Sequence, residues 1–548
     1  MSSPRYSVGT VATSDYIPWS RVLAESVAEH NPGIPVYALI LDDFDPDEVL
    51  RPDDRFEVIR PADLAIDPDE FAWLSTMYTP LQLSCAMKSW LLLELLERTD
   101  AAVYLDSDMR VYASLDVLAI PAAWDGVVLT PHLLTPPPPD GRFPNDDALD
   151  QFGMFNAGCL AAGQTGRPFL RWWAGKCSRD CFEGPELRPP RFVDQRWLDL
   201  APAYFDVTVA RDPGVNVAYW NMPERPVERS DSGAPVVGGR PLRLFHFSAL
   251  PLDAPRRLNR FLNADSRVSA EEHPAVLDLC EAYVGELRAA GLDPGAARRP
   301  PAELAPGVPL TDATRGALRM ALTDAERSGE WFPRRPDDPR LAGDLLRWLT
   351  AADPRIPGLT RYLRALHASE PRISATFPDL GDPGTAGAYI EWARTEGLTM
   401  GLVARGLLAA PGGAAPTFDD AEAVVLVDVD DLLARPDEFA ATIGTFRARD
   451  PVTFLLWWPA RTEADLSAAL APVMDACGFT EPDGPTAVGL VDPLPTPVIC
   501  EIADMALSPG SRIPELASIP VVLSDTDIAT RVADARADDR RDSGRECA

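Results

Sequence analysis

Apolar positions along the first hundred residues follow two rhythms. Residues 6 to 13, "YSVGTVAT", and 34 to 43, "IPVYALILDD", are near-continuous apolar runs of strand length, as in parallel strands buried on both faces. Between them, Asp15 to His30 places Val22, Leu23 and Val27 at helical spacing. "FEVIRPADL" predicts a third, shorter strand, and residues 78 to 98 predict a strong helix ending at a strand over 102–106. This β-α-β-β-α-β succession predicts a doubly wound α/β sheet, in which ligands sit beyond the carboxyl ends of the strands.

From about 121 to 150 the chain is proline-rich, "LLTPPPPDGRFPNDD" included, and predicts a loop. A strand in "MFNAGCLAA", helices over "RPFLRWWAGKC" and "FVDQRWLDLAPAYFD", and strands in "NVAYWNM" and "RLFHFSAL" complete a first domain over 1–265. Residues 266–415 change character: helical segments alternate with Pro/Gly-rich joints and end in a linker, "AAPGGAAPTFDD". Strand and helix alternate again over 416–534, predicting a smaller α/β unit, and 535–548 predicts a disordered tail.

Composition narrows the function classes. A formal charge of −32 excludes the basic footprint that nucleic acid requires and disfavours anionic lipid. The eight cysteines are scattered, and Cys177 with Cys181 has no second close pair to complete a zinc site, so reduced thiols are expected. The N-terminus lacks a signal-peptide pattern, and no apolar run reaches the roughly 18 residues of a membrane span. A soluble, cytoplasmic protein is expected. Its lysines number only two, Lys88 and Lys176.

Candidate chemistry begins at "AAVYLDSDMRVYASLD", residues 101 to 116. Asp106 and Asp108 flank Ser107 just after an apolar strand. They are either a site for Mg²⁺ or Mn²⁺, which prefer oxygen ligands and share them with phosphates, or a strand end capping the next turn. Lys88, on the preceding helix among Met87, Trp90 and Leu91, is either aimed at phosphate or snorkelling to the surface. His246 in "RLFHFSAL" is either a satisfied core histidine or the nitrogen that completes an O,O,N site.

Several segments occur in the order seen in one group of enzymes: "VATSDYIPWSRVLAESV", "LILDD", "CAMKSWLLLELLERTDAAVYLDSDMRVYASLD", "FNAGCLA", "VDQRWLDLAPAYFD", "GVNVAYWNM" and "LRLFHFSA". Over residues 5 to 255 the chain resembles bacterial GT-A-fold glycosyltransferases related to the family 8 retaining enzymes. Much of 330–400 resembles the helical segment that often follows that domain. The resemblance implies a nucleotide-sugar donor, usually a UDP-sugar, whose diphosphate rests on Mn²⁺ (or Mg²⁺) held by Asp106, Asp108 and His246. It implies that Ala12, Thr13 and Tyr16 hold base and ribose, and that Ser107 touches the donor. Lys88 would face the donor, Asn156 and Asp194–Gln195 would bind its sugar, and Asp194 or Gln195 would lie near the anomeric carbon. Two departures stand out: Gln82 replaces a glutamate common in the helix before the lysine, and Ala249 replaces the glycine after "HFS".

A second D-x-D in "VVLVDVDDLL", residues 424 to 433, reads as a phosphatase-type motif or as a strand followed by a helix cap. The phosphatase reading needs a downstream lysine, and none follows Lys176. The 420–530 unit resembles, weakly, the nucleotide-binding half of GT-B glycosyltransferases, with Ser511 and Arg512 as the positions to test. The expectation is an α/β enzyme with a GT-A domain, a helical middle region and a smaller Rossmann-like C-terminal unit. It would transfer a sugar to an unknown acceptor (a glycan, a lipid-linked sugar, a protein or a small natural product), and the resemblance implies transfer with retention. The alternatives are a metal-dependent phosphohydrolase and a non-catalytic nucleotide-sugar-binding protein. The loop over 133–147 is expected to close over the donor.

Overall fold

The computed structural model describes residues 4–184, 191–263, 265–293, 302–305, 308–329, 332, 339–356 and 358–408, and beyond them 423–443, 452–457, 486–490 and 505–506. The chain divides into two compact units, Met1–Arg299 and Pro300–Ala548.

The first unit is mixed α/β around a seven-stranded sheet. Its strands are β1 (Tyr6–Ala12), β2 (Val36–Ile40), β3 (Glu57–Ile59), β4 (Ala101–Leu105), β6 (Val127–Pro131), β7 (Phe155–Gly163) and the short strand Val207–Val209, while β5 (Met109–Val111) stands outside it. The order is Val207–Val209, β6, β7, β4, β1, β2, β3. All neighbours are parallel except β7, which is antiparallel to both β4 and β6. Strands β1, β2 and β4 are buried at every position, which is why they read as unbroken apolar runs. The chain moves from β1 outward to β2 and β3, then returns to place β4 on the other side of β1. That reversal opens a crevice beyond the carboxyl ends of β1 and β4, where such sheets bind ligands.

Helices cover the sheet. They are α1 (Ile17–His30), α2 (Pro46–Val49), α3 (Pro68–Met77), α4 (Pro80–Leu95), α5 (Asp116–Asp125), α6 (Asp146–Phe152) and α7 (Arg167–Asp180). Gly9 lets α4 approach β1, because a Cβ there would meet Leu95 Cδ1 at 2.7 Å and Leu91 Cδ2 at 3.0 Å. Helix α4 starts in a reciprocal capping box: Gln82 N–H donates to Thr79 Oγ1 and Thr79 N–H donates to Gln82 Oε1, both at 3.2 Å. The unexpected Gln82 is therefore occupied in starting this helix.

Three expectations need correction. Residues 121–131 are not loop: α5 runs through Pro121 to Asp125 and β6 follows at once. "FVDQRWLDLAPAYFD" forms a 3-10 helix, Gln195–Leu200, and one α-turn, Ala201–Tyr204. In "NVAYWNM" only Val217 makes a strand-like bridge, to Phe245. Helix Pro274–Ala289 packs in one core with Val217, Phe245 and Phe247, within the unit Met1–Arg299.

In the second unit the described residues form helices Asp312–Ser328, Pro339–Thr350, Arg361–Ser369 and Pro383–Arg394. They also form four parallel strands in the order Thr486–Leu490, Val452–Trp457, Ala423–Asp428, Met505–Ala506. Strand Ala423–Asp428 runs directly into helix Val429–Ala434. Ser511, Arg512, the linker 409–420 and the tail 535–548 lie outside the described residues. No helix among the described residues is long and apolar enough to cross a membrane.

Candidate metal and donor site

Strand β4 ends at Leu105, and Asp106 follows at the carboxyl edge of the sheet. A tight turn (Met109 N–H to Asp106 O, 3.2 Å) buries Ser107 and leads into β5. Strand Leu244–His246 pairs antiparallel with β5, setting His246 opposite Met109. Phe247 N–H donates to Asp108 O at 2.9 Å, and His246 Nε2 comes within 3.1 Å of Asp108 Oδ1. One donor atom each from Asp106, Asp108 and His246 lies within 4.8 Å of the others. Around an octahedral cation with bonds of about 2.1 Å, adjacent ligands are roughly 3 Å apart and opposite ones about 4.2 Å. The three atoms are close enough for one cation to be shared among them.

Two further observations fit a cation there. His246 Nδ1 is buried without a hydrogen-bond partner. Gly158 keeps the space open: a Cβ would lie 2.5 Å from Asp106 Oδ2 and 2.9 Å from both Asn156 Oδ1 and His246 Cε1. Two oxygens and an imidazole suit Mn²⁺ or Mg²⁺ rather than a thiolate-seeking ion. Trp220 stands edge-on to His246, ring centroids 5.3 Å apart, and fixes its plane. Burial disfavours the imidazolium, but Asp108 outweighs it and raises the pKa of His246. In return, burial would raise Asp108, and His246 lowers it instead.

Lys88 is buried beneath this site. Its Nζ lies 3.1 Å from Asp106 Oδ1 and 3.3 Å from Asp194 Oδ2, and donates to Ala157 O at 3.2 Å. Burial opposes its charge, yet Asp106 and Asp194 hold its pKa well above the ordinary value. Asp194 is only 1% exposed, and burial pushes its carboxyl up against the opposing pull of Lys88. Val193 before it has φ +43°, a strained setting for a β-branched residue that turns Asp194 inward. Tyr104 Oη donates to Asp106 Oδ1 at 2.8 Å.

Above the carboxylates opens a cleft of about 1080 Å³, lined among others by Tyr16, Asp108, Asn156, Gln195, Trp220 and Arg260. Asn156 and Gln195 are fixed in its wall. Asn156 Nδ2 and Ala157 N–H donate to Gln195 Oε1, each at 3.0 Å, and Gln195 Nε2 donates to Phe152 O at 2.8 Å. Asn216 Nδ2 donates to Asn156 Oδ1 at 3.0 Å. His132 Nδ1 lies 2.8 Å from Gly153 O, and burial lowers its pKa to about 4, so its ring is neutral and Nδ1–H is the donor. Ala12 is buried at the end of β1, and Thr13 donates to Asp15. Tyr16 is 44% exposed and stacks on Trp19.

The structure thus brings together Asp106, Asp108 and His246, with Tyr16, Asn156 and Gln195 at the same cleft, and sets Lys88 and Asp194 below its floor. The loop expected to act as a lid lines the cleft through Phe143, Pro144 and Asn145. It is fastened by Arg267, which donates to Asp140 and to the carbonyls of Pro138, Arg142 and Pro144, and by Glu224, which accepts from Leu134 and Thr135 N–H. Gly158, His132, Asn216 and Arg260 are missed by sequence reasoning. Of these only Gly158, inside "FNAG", carried a local signal. Ala249 has φ +53°, the left-handed conformation a glycine would adopt without strain.

No protein-family description matches the chain, and no curated protein does. Among solved structures it is similar to the galactosyltransferase LgtC in complex with donor and acceptor sugar analogues, at 17% identity over 51% of this chain and 99% of that one, TM-score 0.31. It is similar to an active-site mutant of LgtC at 15% identity, over 50% and 95% of the two chains, TM-score 0.31. It is also similar to a glycosyltransferase involved in glycosylation of the major capsid of PBCV-1, at 12% identity over 50% and 100%, TM-score 0.25. At this level of likeness no activity transfers from them, and the site's own residues carry the reading.

Proposed function

We propose that the first unit is a metal-dependent glycosyltransferase of the GT-A kind, moving a sugar from a nucleotide-sugar, a UDP-sugar by preference, to an acceptor hydroxyl with retention. The observation that carries this reading is the convergence of Asp106, Asp108 and His246 at the crevice beyond β1 and β4, beneath a cleft large enough for a nucleotide-sugar. Asp106, Asp108 and His246 would hold a Mn²⁺ or Mg²⁺ ion, which would supply positive charge to offset the charge of the donor's diphosphate.

In this reading Tyr16, with Ala12 and Thr13 at the end of β1, receives the base and ribose, and Ser107 lies in the turn that sets the two carboxylates. Asn156 and Gln195 orient the transferred sugar from the cleft wall. The bond from the anomeric carbon to the diphosphate oxygen breaks, and its electron pair leaves on that oxygen. The acceptor hydroxyl forms the new bond on the same face, and its proton passes to the departing oxygen. Lys88 and Asp194 act through Asp106: the buried ammonium, shared by the two carboxylates, offsets one of their two charges and holds Asp106 in position. We read 416–534 as a Rossmann-like scaffold or acceptor-binding unit behind the helical middle region.

The test is incubation with a panel of UDP-sugars and Mn²⁺, with cell extract as acceptor, reading UDP release. Asp106→Ala and Asp108→Ala should abolish Mn²⁺-dependent UDP binding with the fold intact. Release of inorganic phosphate from simple phosphoesters instead would make the protein a phosphohydrolase. UDP binding with no turnover on any donor would make it a non-catalytic binding protein.

A further inference from the structure

We infer that Arg260, in the lining of the cleft, is the residue that grips the donor's diphosphate; this rests on the nucleotide-sugar reading. A diphosphate there faces a shortage of positive charge. Asp106 and Asp108 offset a divalent ion, and the Lys88 ammonium is buried and shared between Asp106 and Asp194. The whole chain carries −32. Among the described residues, Arg260 is the one arginine or lysine lining the cleft.

Its position is built by the backbone. Leu258, at φ +63°, and Ala249, at φ +53°, turn the chain back on itself, so that Arg260 N–H donates to Ala249 O at 3.2 Å. Asn259, buried, donates from Nδ2 to Ser248 O at 2.7 Å and pins the same closure. The Arg260 backbone is therefore tied to Ala249, the third residue after His246, while Arg260 itself is exposed. No described carboxylate pairs with its guanidinium, which stands 5.8 Å from the Phe261 ring. Burial, Asp108 and Asp15 raise the pKa of the Tyr16 hydroxyl and Arg260 lowers it, so Arg260 lies within electrostatic reach of the same side chain as Asp108. An unpaired, planar guanidinium at that place is suited to two phosphate oxygens at once.

The experiment titrates UDP, uridine and inorganic pyrophosphate, each with Mn²⁺, into the full-length protein and its Arg260→Ala and Arg260→Lys variants. Arg260→Ala should weaken UDP and pyrophosphate at least tenfold and leave uridine within twofold, with Arg260→Lys recovering part of the loss. The salt dependence of UDP binding should flatten in Arg260→Ala. Unchanged pyrophosphate binding, or an equal loss for UDP and uridine, would overturn the assignment. Wild-type protein that binds pyrophosphate through Arg260 but not UDP would sink the nucleotide reading and leave the anion site standing.

Discussion

Lys88 and Asp106 form an ion pair, Nζ to Oδ1 3.1 Å, in which the lysine side chain is buried and Asp106 is 29% exposed. A second carboxylate, Asp194, shares the same ammonium at 3.3 Å. Breaking a buried pair by removing one partner leaves an uncompensated charge. Lys88→Met should therefore cost about 3 kcal/mol of stability by urea unfolding. The double variant Lys88→Met/Asp194→Asn should recover part of that. A single variant as stable as wild type would show that the ammonium does not hold the two carboxylates together.

Gly158→Ala directs a methyl at the ends of three side chains, Asp106, Asn156 and His246. Lys88, Gln195 and Trp220 hold those ends, so the clash should cost about 2 kcal/mol of stability and weaken Mn²⁺-dependent UDP binding at least tenfold. Gly285→Ala is the control. It lies exposed in helix Pro274–Ala289 with nothing within 4 Å of its Cβ position and should stabilise by about 1 kcal/mol.

His132 should leave a mark on the pH dependence of stability. Its imidazole is held neutral by burial, with a pKa of about 4 against an unfolded value of 6.5. Between those values the unfolded chain binds the extra proton, so stability falls as pH drops from 6.5 towards 4, by up to roughly 3 kcal/mol. His246, raised by Asp108, works in the opposite direction. The difference between wild type and His132→Asn isolates the first effect, and equal slopes for the two proteins across that window would refute it.

Arg267 fastens the proline-rich loop through Asp140 and three carbonyls. Arg267→Ala should speed cleavage within 133–147 several-fold in limited proteolysis. If UDP and Mn²⁺ then protect the loop, it closes on the donor; cleavage indifferent to both ligands would end the lid idea.

The parts legible in the sequence were those with a single physical cause. β1, β2 and β4 are buried on both faces, and α4 is a long apolar helix, so composition alone announced them. Strand β6 is equally apolar, but Pro121 and Pro131 on either side disguised it as loop; the described helix α5 accommodates Pro121 in its interior. The site was legible only in part. Asp106, Asp108 and His246 come together as the resemblance implied, because the β5 pairing delivers His246 to Asp108. Lys88 lies between Asp106 and Asp194, and nothing local in the sequence could reveal that Val193 turns Asp194 towards it. Arg260 was invisible, because its place depends on two left-handed residues, Leu258 and Ala249, neither of which is a glycine.

The pairing of Leu244–His246 with β5 also sets an order of events for the chain as it is synthesised. All seven strands of the main sheet have emerged by Val209, and both carboxylates long before. The imidazole arrives only at residue 246, and its hairpin closes across a span of more than a hundred residues. A ribosome-bound chain can thus build the scaffold while the ion site is still incomplete. In the proposed metal-dependent function, an ion would find its third ligand only after the sheet is in place.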